Sequence, residues 1–326
     1  MSCVFIDANI YLRFFDSNQK EFKKLLEELE KIKTKIFVTR QLVSEVNRNK
    51  LDVFASSIVN YTADVKIKKV LIPEHFHQEH HKIDVLDWNN NRIELYSSNS
   101  KLMESLDLFF DENLKEISKS SDAVSQKLKS IFFNVLDPDE DVITLSKIRK
   151  ELGNPPGKKN DPLGDQISWE QFKKNVKDKN INEIWIVSND ADFFTIYNKR
   201  LHLNPFLMDE LLSINDSLKI NLFQSLTDGL KDYAQKNPDA SLISSDELEA
   251  IGVEEKKFTR TSVSSSNIAS IGYDVNSLTL ELEFLNGDAY QYFDVPQHIY
   301  EGLLNAGSHS QYFAQNIKGI YRYSKI

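Results

Sequence analysis

An α/β fold with a parallel sheet is predicted by three features of the sequence. Short apolar runs typical of buried strands occur at Cys3–Ile6, Lys35–Thr39 and Glu183–Ser188. Between the first two, residues 20–33 place Phe, Leu and Ile at spacings of three and four, which is the period of an amphipathic helix. A strand, a helix and a second strand at this spacing form a βαβ unit, and such units build parallel sheets with right-handed crossovers.

The chain between the second and third strands is predicted to be a helical insertion. From Arg40 to about Lys159 the sequence is polar, carries apolar residues at helical spacing and has no convincing strand pattern. Residues 153–162 are a loop by their Gly, Pro and Asn content. A helix over Leu163–Lys177 should follow, with Asp161 as its N-cap and a proline in its first turn.

The rest of the chain is predicted to form the end of the sheet, a linker and a small module. Residues 189–199 are predicted to turn into a helix, and Lys219–Leu226 to form the last strand. A Ser-, Glu- and Lys-rich stretch without an apolar period is taken as a linker with one short helix at Ser245–Ile251. Beyond it, alternating apolar residues on both sides of an Asn-Gly pair, residues 286–287, predict a β-hairpin followed by a short helix.

Length and composition fit this division. A chain of 326 residues exceeds the roughly 250 to 300 residues that one core organises. We therefore expect a first domain at 1–235 with its insertion at about 51–160, a linker at 236–266 and a module at 267–326. A single cysteine, Cys3, leaves no intrachain disulfide or cysteine-based zinc cluster.

Localisation and partners follow from the same composition. No apolar run reaches the roughly 18 residues of a membrane span, and the first residues lack a signal-peptide pattern. We expect a cytoplasmic protein with no membrane partner. The formal net charge of −9 argues against a general basic coat for nucleic acid and leaves local basic patches open.

Acidic residues stand at strand ends or helix starts in four separate segments. They are Asp7, Glu45, Asp165, and Asp190 with Asp192. Because ligands of open parallel sheets bind at the carboxyl ends of the strands, these side chains are expected to converge. Clustered carboxylates repel one another unless a cation neutralises them, and oxygen-only ligation suits Mg²⁺ or Mn²⁺. Such a site supports metal-dependent phosphodiester cleavage.

Three of these acids also have a purely structural alternative. Asp7 and Asp190 follow strands and fit helix N-caps, while Glu45 fits a solvated helix face. Arg48, one helical turn after Glu45, is expected to contact a substrate phosphate, as is Arg40; exposed arginines without a partner are the alternative.

Two further sequence features leave their roles open. Basic clusters at 66–69 and 147–150 either guide a nucleic-acid backbone or face solvent. Four histidines within residues 75–81 fit no ordinary zinc spacing, so metal binding there is the weaker of two interpretations.

Four segments of the chain resemble the PIN-domain nucleases, and within them larger bacterial PIN-like proteins with a helical insertion. The matching segments are FIDAN at 5–9, VTRQLVSEV at 38–46, LGDQISWE at 163–170 and IVSNDADF at 186–193. The resemblance covers about residues 1–235 and implies a three-layer α/β/α sandwich around a central parallel sheet. It implies a catalytic and metal-binding set of Asp7, Glu45, Asp165 and Asp190, with Asp192 as a fifth ligand and Asn9, Ser188 and Asn189 orienting them.

The resemblance further implies a Mg²⁺- or Mn²⁺-dependent endoribonuclease acting on single-stranded RNA, with toxins and phage-defence effectors among its relatives. A catalytically silent scaffold that binds RNA or protein is one alternative, and a structure-specific DNA nuclease is another. The complete set of acids favours an enzyme over the scaffold. Nothing in the sequence separates RNA from DNA or settles whether the protein is an oligomer.

The C-terminal segment resembles the KTSC domain, which occurs at the C-terminus of some lysyl-tRNA synthetases. The shared motifs include Ile271-Gly272-Tyr273, Asn286-Gly287, Val295-Pro296 and Tyr312-Phe313, and Ser310 departs from the family's usual glycine. The resemblance implies RNA or a protein partner, although residues 263–326 carry three basic and six acidic side chains. Tyr290 and Tyr292 either stack on bases or fill the core of the module.

Overall fold

A computed structural model describes residues 1–17, 22–63, 85–157, 163–190, 192–197, 200–255, 260–263, 265–274 and 278–325. The chain divides into two compact units, and we describe each by itself. The larger unit comprises residues 1–49 and 127–326, and the smaller one comprises residues 50–126.

The strands in chain order are β1 (Ser2–Ile6), β2 (Ile36–Thr39), β3 (Val135–Leu136), β4 (Glu183–Val187), β5 (Phe194–Tyr197), β6 (Arg200–Leu203), β7 (Lys219–Phe223), β8 (Arg260–Ser262), β9 (Ile268–Asp274), β10 (Thr279–Phe284), β11 (Ala289–Tyr292) and β12 (Tyr323–Lys325). The helices are α1 (Ala8–Asp16), α2 (Lys24–Lys31), α3 (Arg40–Ala63), α4 (Val85–Lys119), α5 (Ala123–Ile131), α6 (Glu140–Leu152), α7 (Gly164–Asp178), α8 (Pro205–Ile214), α9 (Leu226–Lys236), α10 (Ser245–Glu255), α11 (Gln297–Leu304) and α12 (His309–Asn316).

A five-stranded parallel sheet in the order β3-β2-β1-β4-β7 forms the centre of the larger unit. Helices flank the sheet, which confirms the predicted α/β/α sandwich. The two central strands, β1 and β4, are paired along their whole length from Ser2↔Glu183 to Ile6↔Val187. Both strands end at the same edge, so Asp7 and Ser188, which follow them, become neighbours.

Aromatic side chains fill the core beneath this edge. Phe5 of β1 lies 5.0 Å from Phe172 of α7 and 5.7 Å from Phe193, measured between ring centroids. Trp169 of α7 is fully buried and lies 5.8 Å from Phe193. Rings of this size each bury a large apolar area, and their tilted contacts add specific geometry. The packing fixes α7, which carries Asp165, against the sheet.

Three local predictions for this unit are wrong. The segment from Arg40 to Lys159 does contain a strand, because the two residues of β3 pair in parallel with Val38 and Thr39. A strand of two residues is too short to leave a periodic signature. The segment after β4 forms the antiparallel hairpin β5–β6 instead of a helix, since aromatic and β-branched residues in Phe194–Tyr197 favour a pleated strand. Asp161 was predicted as the N-cap of the next helix, but helix α7 begins at Gly164 and its N-cap is Leu163.

The remaining elements largely follow the sequence pattern. Helix α2 buries Leu25, Leu26 and Leu29 on one face, as the spacing predicts. The compact helical unit covers residues 50–126, whereas α6 lies in the larger unit. Asp161, the basic cluster at 66–69 and the four histidines of residues 75–81 lie outside the described residues. Among the helices that the structure describes, none is long and apolar enough to cross a membrane.

The C-terminal module is a five-stranded antiparallel sheet in the order β12-β11-β10-β9-β8 with helices α11 and α12. The predicted hairpin is present, with β10 and β11 joined at Gly287, whose φ of +84° suits glycine. The module has a core of its own, in which Ile271, Leu282 and Val295 are fully buried. The stretch predicted as a linker contains α10, whose Leu248 and Ile251 are buried.

Candidate active site

Asp7 stands at the C-terminal end of β1 and has two roles at once. Its Oδ1 accepts a hydrogen bond of 2.7 Å from the backbone N–H of Ala8, which makes it the N-cap of α1. Its Oδ2 accepts a hydrogen bond of 2.6 Å from the hydroxyl of Ser188, which follows the neighbouring strand β4. The structural role expected of a post-strand aspartate is therefore present, and it leaves the second oxygen directed towards β4.

Ser188 links Asp7 to the loop that carries the next two acids. Its Oγ accepts a hydrogen bond of 3.0 Å from the backbone N–H of Asp190. Asp190 Oδ1 in turn accepts one of 2.9 Å from the N–H of Asp192, and Asp192 Oδ2 accepts one of 3.2 Å from the N–H of Gly157. Since a hairpin follows, Asp190 caps no helix. These bonds shape a loop that holds two carboxylates beside the end of β4.

Helices α3 and α7 supply the other two predicted acids. The hydroxyl of Thr39 accepts a hydrogen bond of 3.0 Å from the N–H of Leu42 and so caps the start of α3. Glu45 lies on α3, and Asp165 lies in the first turn of α7. Both line, together with Asp7, a cavity of about 10 Å³ whose remaining lining includes Ser168 and Phe193. A cavity of this volume is about the size of one water molecule.

The carboxylates of this cavity perturb one another electrostatically. Burial raises the pKa of Asp165 well above its ordinary value, and the negative charges of Asp7, Asp190, Glu45 and Asp192 raise it further. Burial and the charge of Asp7 also raise the pKa of Glu45 to about 7, against a smaller lowering by Arg48. Burial raises the pKa of Asp7, although its hydrogen bonds from Ser188 and Ala8 oppose the shift. The structure therefore brings the predicted acids within mutual influence.

The donor set fits a hard divalent cation. All of the converging side chains offer carboxylate oxygens, which Mg²⁺ and Mn²⁺ prefer. The mutual repulsion seen in the raised pKa values is the kind that a cation relieves. Asn9 Oδ1, two residues after Asp7, is buried and has no hydrogen-bond donor among the described residues. In the described part of the chain, however, no three acidic, histidine or cysteine side chains are already arranged to hold a metal ion.

The other predicted site residues fall in different places. Arg48 is exposed, and its charge acts on Glu45 as the helical spacing predicts. Arg40 instead forms an ion pair with Asp137, with Nε 2.9 Å from Oδ1, and does not line the acidic cavity. Asn189 lines a wider cleft beside Phe194.

Within the basic cluster at 147–150, Arg149 is not available to a phosphate, whereas Lys147 is exposed. Arg149 is buried and donates from Nε to Glu170 at 2.7 Å, and it also pairs with Glu210. The guanidinium therefore links α6 to α7 and α8. The run of basic residues in the sequence did not indicate that one of them would be buried.

Two residues near the acids were not predicted. Ser168 lines the cavity one turn after Asp165, and the three-residue spacing on a helix could have indicated it. Arg322, in the C-terminal module, lies 3.9 Å from Asp192 through Nη2 and Oδ1. No local pattern links two residues so far apart in sequence.

The parallel sheet and its cluster of carboxylates define an α/β domain of the nuclease-like PIN class. The sequence matches the PIN domain family over residues 4–193, and the chain belongs to this family. Residues 264–321 match the KTSC domain, so the chain joins a PIN domain to a KTSC domain.

Individual proteins are similar to a short part of the chain. The chain is 43% identical over 61 residues to a lysine–tRNA ligase from Nostoc sp., which is 19% of this chain and 11% of that protein. It is 40% identical over 68 residues to an uncharacterized protein from Stutzerimonas stutzeri, 21% of this chain and 96% of that protein. The chain spans about a tenth of the length of the ligases that it matches.

A solved structure is also similar to this part of the chain. The crystal structure of a KTSC domain protein from Yersinia pestis is 38% identical and covers 22% of this chain and 99% of that one, with a TM-score of 0.21.

Proposed function

We propose that the protein is a metal-dependent endoribonuclease that cleaves phosphodiester bonds of single-stranded RNA. The observation that carries this proposal is the cavity shared by Asp7, Glu45 and Asp165, together with the rise in the pKa of Asp165 caused by its acidic neighbours. Carboxylates held this close are costly unless they serve a cation. The PIN domain is a nuclease-like fold, which supports the same chemistry.

The chain's own residues have distinct parts in this proposal. Asp7, Glu45, Asp165 and Asp190 would hold Mg²⁺ or Mn²⁺, with Asp192 as a fifth ligand. When bound, the metal supplies an activated water and stabilises negative charge on the phosphate. Ser188 holds Asp7 and the loop of Asp190 in place through its two hydrogen bonds. Arg48, exposed and close enough to Glu45 to lower its pKa, would contact a substrate phosphate.

RNA is favoured as the substrate by the second domain. Lysine–tRNA ligases carry a segment similar to the KTSC domain of this chain, and their name identifies tRNA as what they act upon. We propose that the KTSC domain of the present chain recruits RNA to the PIN domain. A cytoplasmic role as a toxin or phage-defence effector belongs to the same proposal, and growth arrest on expression of the wild type but not of an acid variant would support it.

A silent scaffold that binds RNA or protein is the second candidate. It is favoured by one observation, namely that the acids in the described part of the chain are not already arranged to enclose a metal ion. The two candidates differ in whether purified protein cleaves at all.

Cleavage of labelled RNA and DNA panels in Mn²⁺, Mg²⁺ or EDTA tests the proposal. We expect cleavage of single-stranded RNA in Mn²⁺ or Mg²⁺ and none in EDTA. Asp7→Asn and Asp165→Asn should each lower the rate by at least about 100-fold while the protein stays folded, because each removes a carboxylate from the shared cavity. Asp141→Asn is the matched control, since Asp141 is an exposed aspartate in the first turn of α6.

Three results would count against the proposal. Full activity of either cavity variant, with metal still required, would show that these acids are not the site. Absence of cleavage in every condition would favour the silent scaffold. Cleavage confined to DNA would show that the substrate is DNA and not RNA.

A further inference from the structure

A cleft of about 540 Å³ lies between the PIN and KTSC domains, next to the carboxylate cluster. Both domains contribute to its lining. The PIN domain provides Asn189, Phe194 and Gln224, and the KTSC domain provides Tyr321, Arg322 and Tyr323. A volume of this size lies in the range of pockets that take small organic ligands or a nucleotide.

Arg322 stands at the junction of the cleft and the acidic loop. Its Nη2 donates a hydrogen bond of 2.8 Å to Asp294 Oδ2 and lies 3.9 Å from Asp192 Oδ1. Its backbone is fixed as well, since the carbonyl of Arg322 accepts a hydrogen bond of 2.9 Å from the N–H of Phe293. The side chain is 59% exposed, and a guanidinium has five N–H donors, so it has capacity for a phosphate beside these contacts.

Tyr323 presents an aromatic ring at the same cleft. The residue is 61% exposed, although its backbone pairs with Tyr292 in the sheet. The ring lies 5.9 Å from that of Tyr290 and 5.6 Å from that of Tyr292 between centroids. Tyr292 itself is buried in the module core, so it is Tyr323 that offers a face to a ligand. A supported, exposed ring is a suitable platform for stacking a base.

The chemistry of the lining favours a nucleotide within a single strand. Phosphate would be repelled by the neighbouring carboxylates alone, and Arg322 is a cation that lines the cleft and lies 3.9 Å from one of them, Asp192. The amides of Asn189 and Gln224 offer both donors and acceptors for a base edge. A cation, an aromatic face and amide groups in one cleft match the phosphate, base stack and base edge of one nucleotide.

We propose that this cleft binds one nucleotide of the RNA substrate adjacent to the cleaved bond, with Arg322 on its phosphate and Tyr323 stacked on its base. The KTSC domain thus completes the substrate site of the PIN domain. This inference rests on the proposed function and deepens it, because it names residues that would hold the single strand beside the acids.

Fluorescence anisotropy with the full chain in EDTA tests the inference without cleavage. The probe is a labelled single-stranded RNA of about 12 nucleotides, within the site sizes of such binding grooves. Arg322→Ala and Tyr323→Ala should each raise Kd about tenfold, since each removes a phosphate contact or a stacking face. Tyr323→Phe keeps the ring and should bind like the wild type. Lys318→Ala removes an exposed positive charge of the same domain that does not line the cleft, and it should change Kd less than twofold.

Melting curves show whether the variants remain folded, and kinetics in Mn²⁺ give a second measurement. If cleavage is present, Arg322→Ala should raise KM and leave kcat nearly unchanged. Should Arg322→Ala and Tyr323→Ala bind RNA as Lys318→Ala does, or the wild type not bind it, the inference is overturned. A higher kcat in Arg322→Ala would also overturn it, because Arg322 would then inhibit cleavage instead of binding the substrate.

The failure of this inference differs from failure of the proposed function. Metal-dependent cleavage by the wild type, with unchanged RNA binding in the cleft variants, would contradict only the proposed role of the cleft. Weakened binding in those variants, with no cleavage by the wild type in any metal, would contradict the proposed nuclease activity and support the cleft as an RNA-binding site.

Discussion

Glu45 lines the acidic cavity, and its carboxyl has a raised pKa. Burial and the nearby charge of Asp7 raise its pKa to about 7, although Arg48 acts in the opposite direction. The carboxyl of an unfolded chain ionises near pH 4.5. Between these values the native state therefore holds a proton that the unfolded state has lost. Asp165 and Asp7, whose pKa values are also raised, act in the same direction.

We predict that the metal-free protein loses stability as pH rises from 5 to 8. The native state binds more protons than the unfolded state in this window, so the free energy of unfolding falls with pH. The loss attributable to Glu45 should be on the order of 1 to 3 kcal/mol. Urea unfolding in EDTA at several pH values measures it, and Glu45→Gln should flatten the dependence.

The control is Glu140→Gln, which changes an exposed glutamate in the first turn of α6. It should keep the dependence of the wild type. Equal slopes for the wild type and Glu45→Gln would show that Glu45 is ionised in the metal-free protein and that its site is not as repulsive as described.

At the residue scale, the sequence located the acids better than the cations. Asp7 and Asp190 follow strands whose apolar runs are unmistakable, so sheet geometry alone indicated that they would converge. The ion pair of Arg40 was not predicted, because its partner Asp137 is 97 residues away in the chain. Arg322 was missed for the same reason, since its proximity to Asp192 depends on how the two domains pack.

Helices α6, α7 and α8 are joined by one buried ionic cluster behind the site. Arg149 of α6 pairs with Glu170 of α7 and with Glu210 of α8. Glu210 also accepts hydrogen bonds of 2.8 Å from Trp169 Nε1 and 2.6 Å from Lys173 Nζ. Since α7 begins with the turn that carries Asp165, this cluster helps to fix one side of the cavity.

We predict that Arg149→Met lowers the free energy of unfolding by about 3 kcal/mol, because the buried Glu170 then keeps only Lys173, 3.0 Å away, as an ionic partner. Thermal or urea unfolding measures the effect. Lys147→Met, which changes an exposed residue two positions earlier on the same helix, is the control and should behave like the wild type. A small effect of Arg149→Met would mean that the cluster contributes little.

At the element scale, long periodic segments were predictable and short ones were not. The spacing of Leu25, Leu26 and Leu29 indicated α2, and the alternation in Thr279–Phe284 indicated β10. The hairpin β5–β6 was mistaken for a helix because Phe193 and Phe194 are both buried, which breaks strict alternation at its start. The two-residue strand β3 exists only through its pairing with β2.

The chain as a whole joins a PIN domain to a KTSC domain through a segment that contains helix α10. In that segment, the N–H of Ile243 donates a hydrogen bond of 2.9 Å to Glu28, and Lys231 Nζ lies 2.6 Å from Glu249 on α10. The sequence predicted a short helix here but not these contacts, because α10, among its residues whose burial the structure describes, buries two apolar side chains, Leu248 and Ile251. A division of the chain should therefore keep α10 with the PIN domain.

We predict that residues 1–255 fold and still cleave a short single strand, with a raised KM and a nearly unchanged kcat. The matched acids all precede residue 193, and the KTSC module has its own buried core. Circular dichroism and oligonucleotide kinetics check the fragment, and residues 260–326 should fold separately. A fragment that folds normally but has lost all turnover would show that the KTSC domain completes the catalytic centre itself.

The effect of Mn²⁺ on thermal unfolding tests the central claim, that the converging carboxylates form one metal site. A cation that binds only the native state raises the melting temperature. The comparison uses the wild type and a variant with Asp7, Asp165 and Asp190 changed to Asn, both with the histidines of residues 75–81 replaced by alanine so that they cannot bind the ion. We expect millimolar Mn²⁺ to raise the melting temperature of the first protein by several degrees and not that of the second. An unchanged melting temperature of the first protein, or an equal rise in both, would contradict the account.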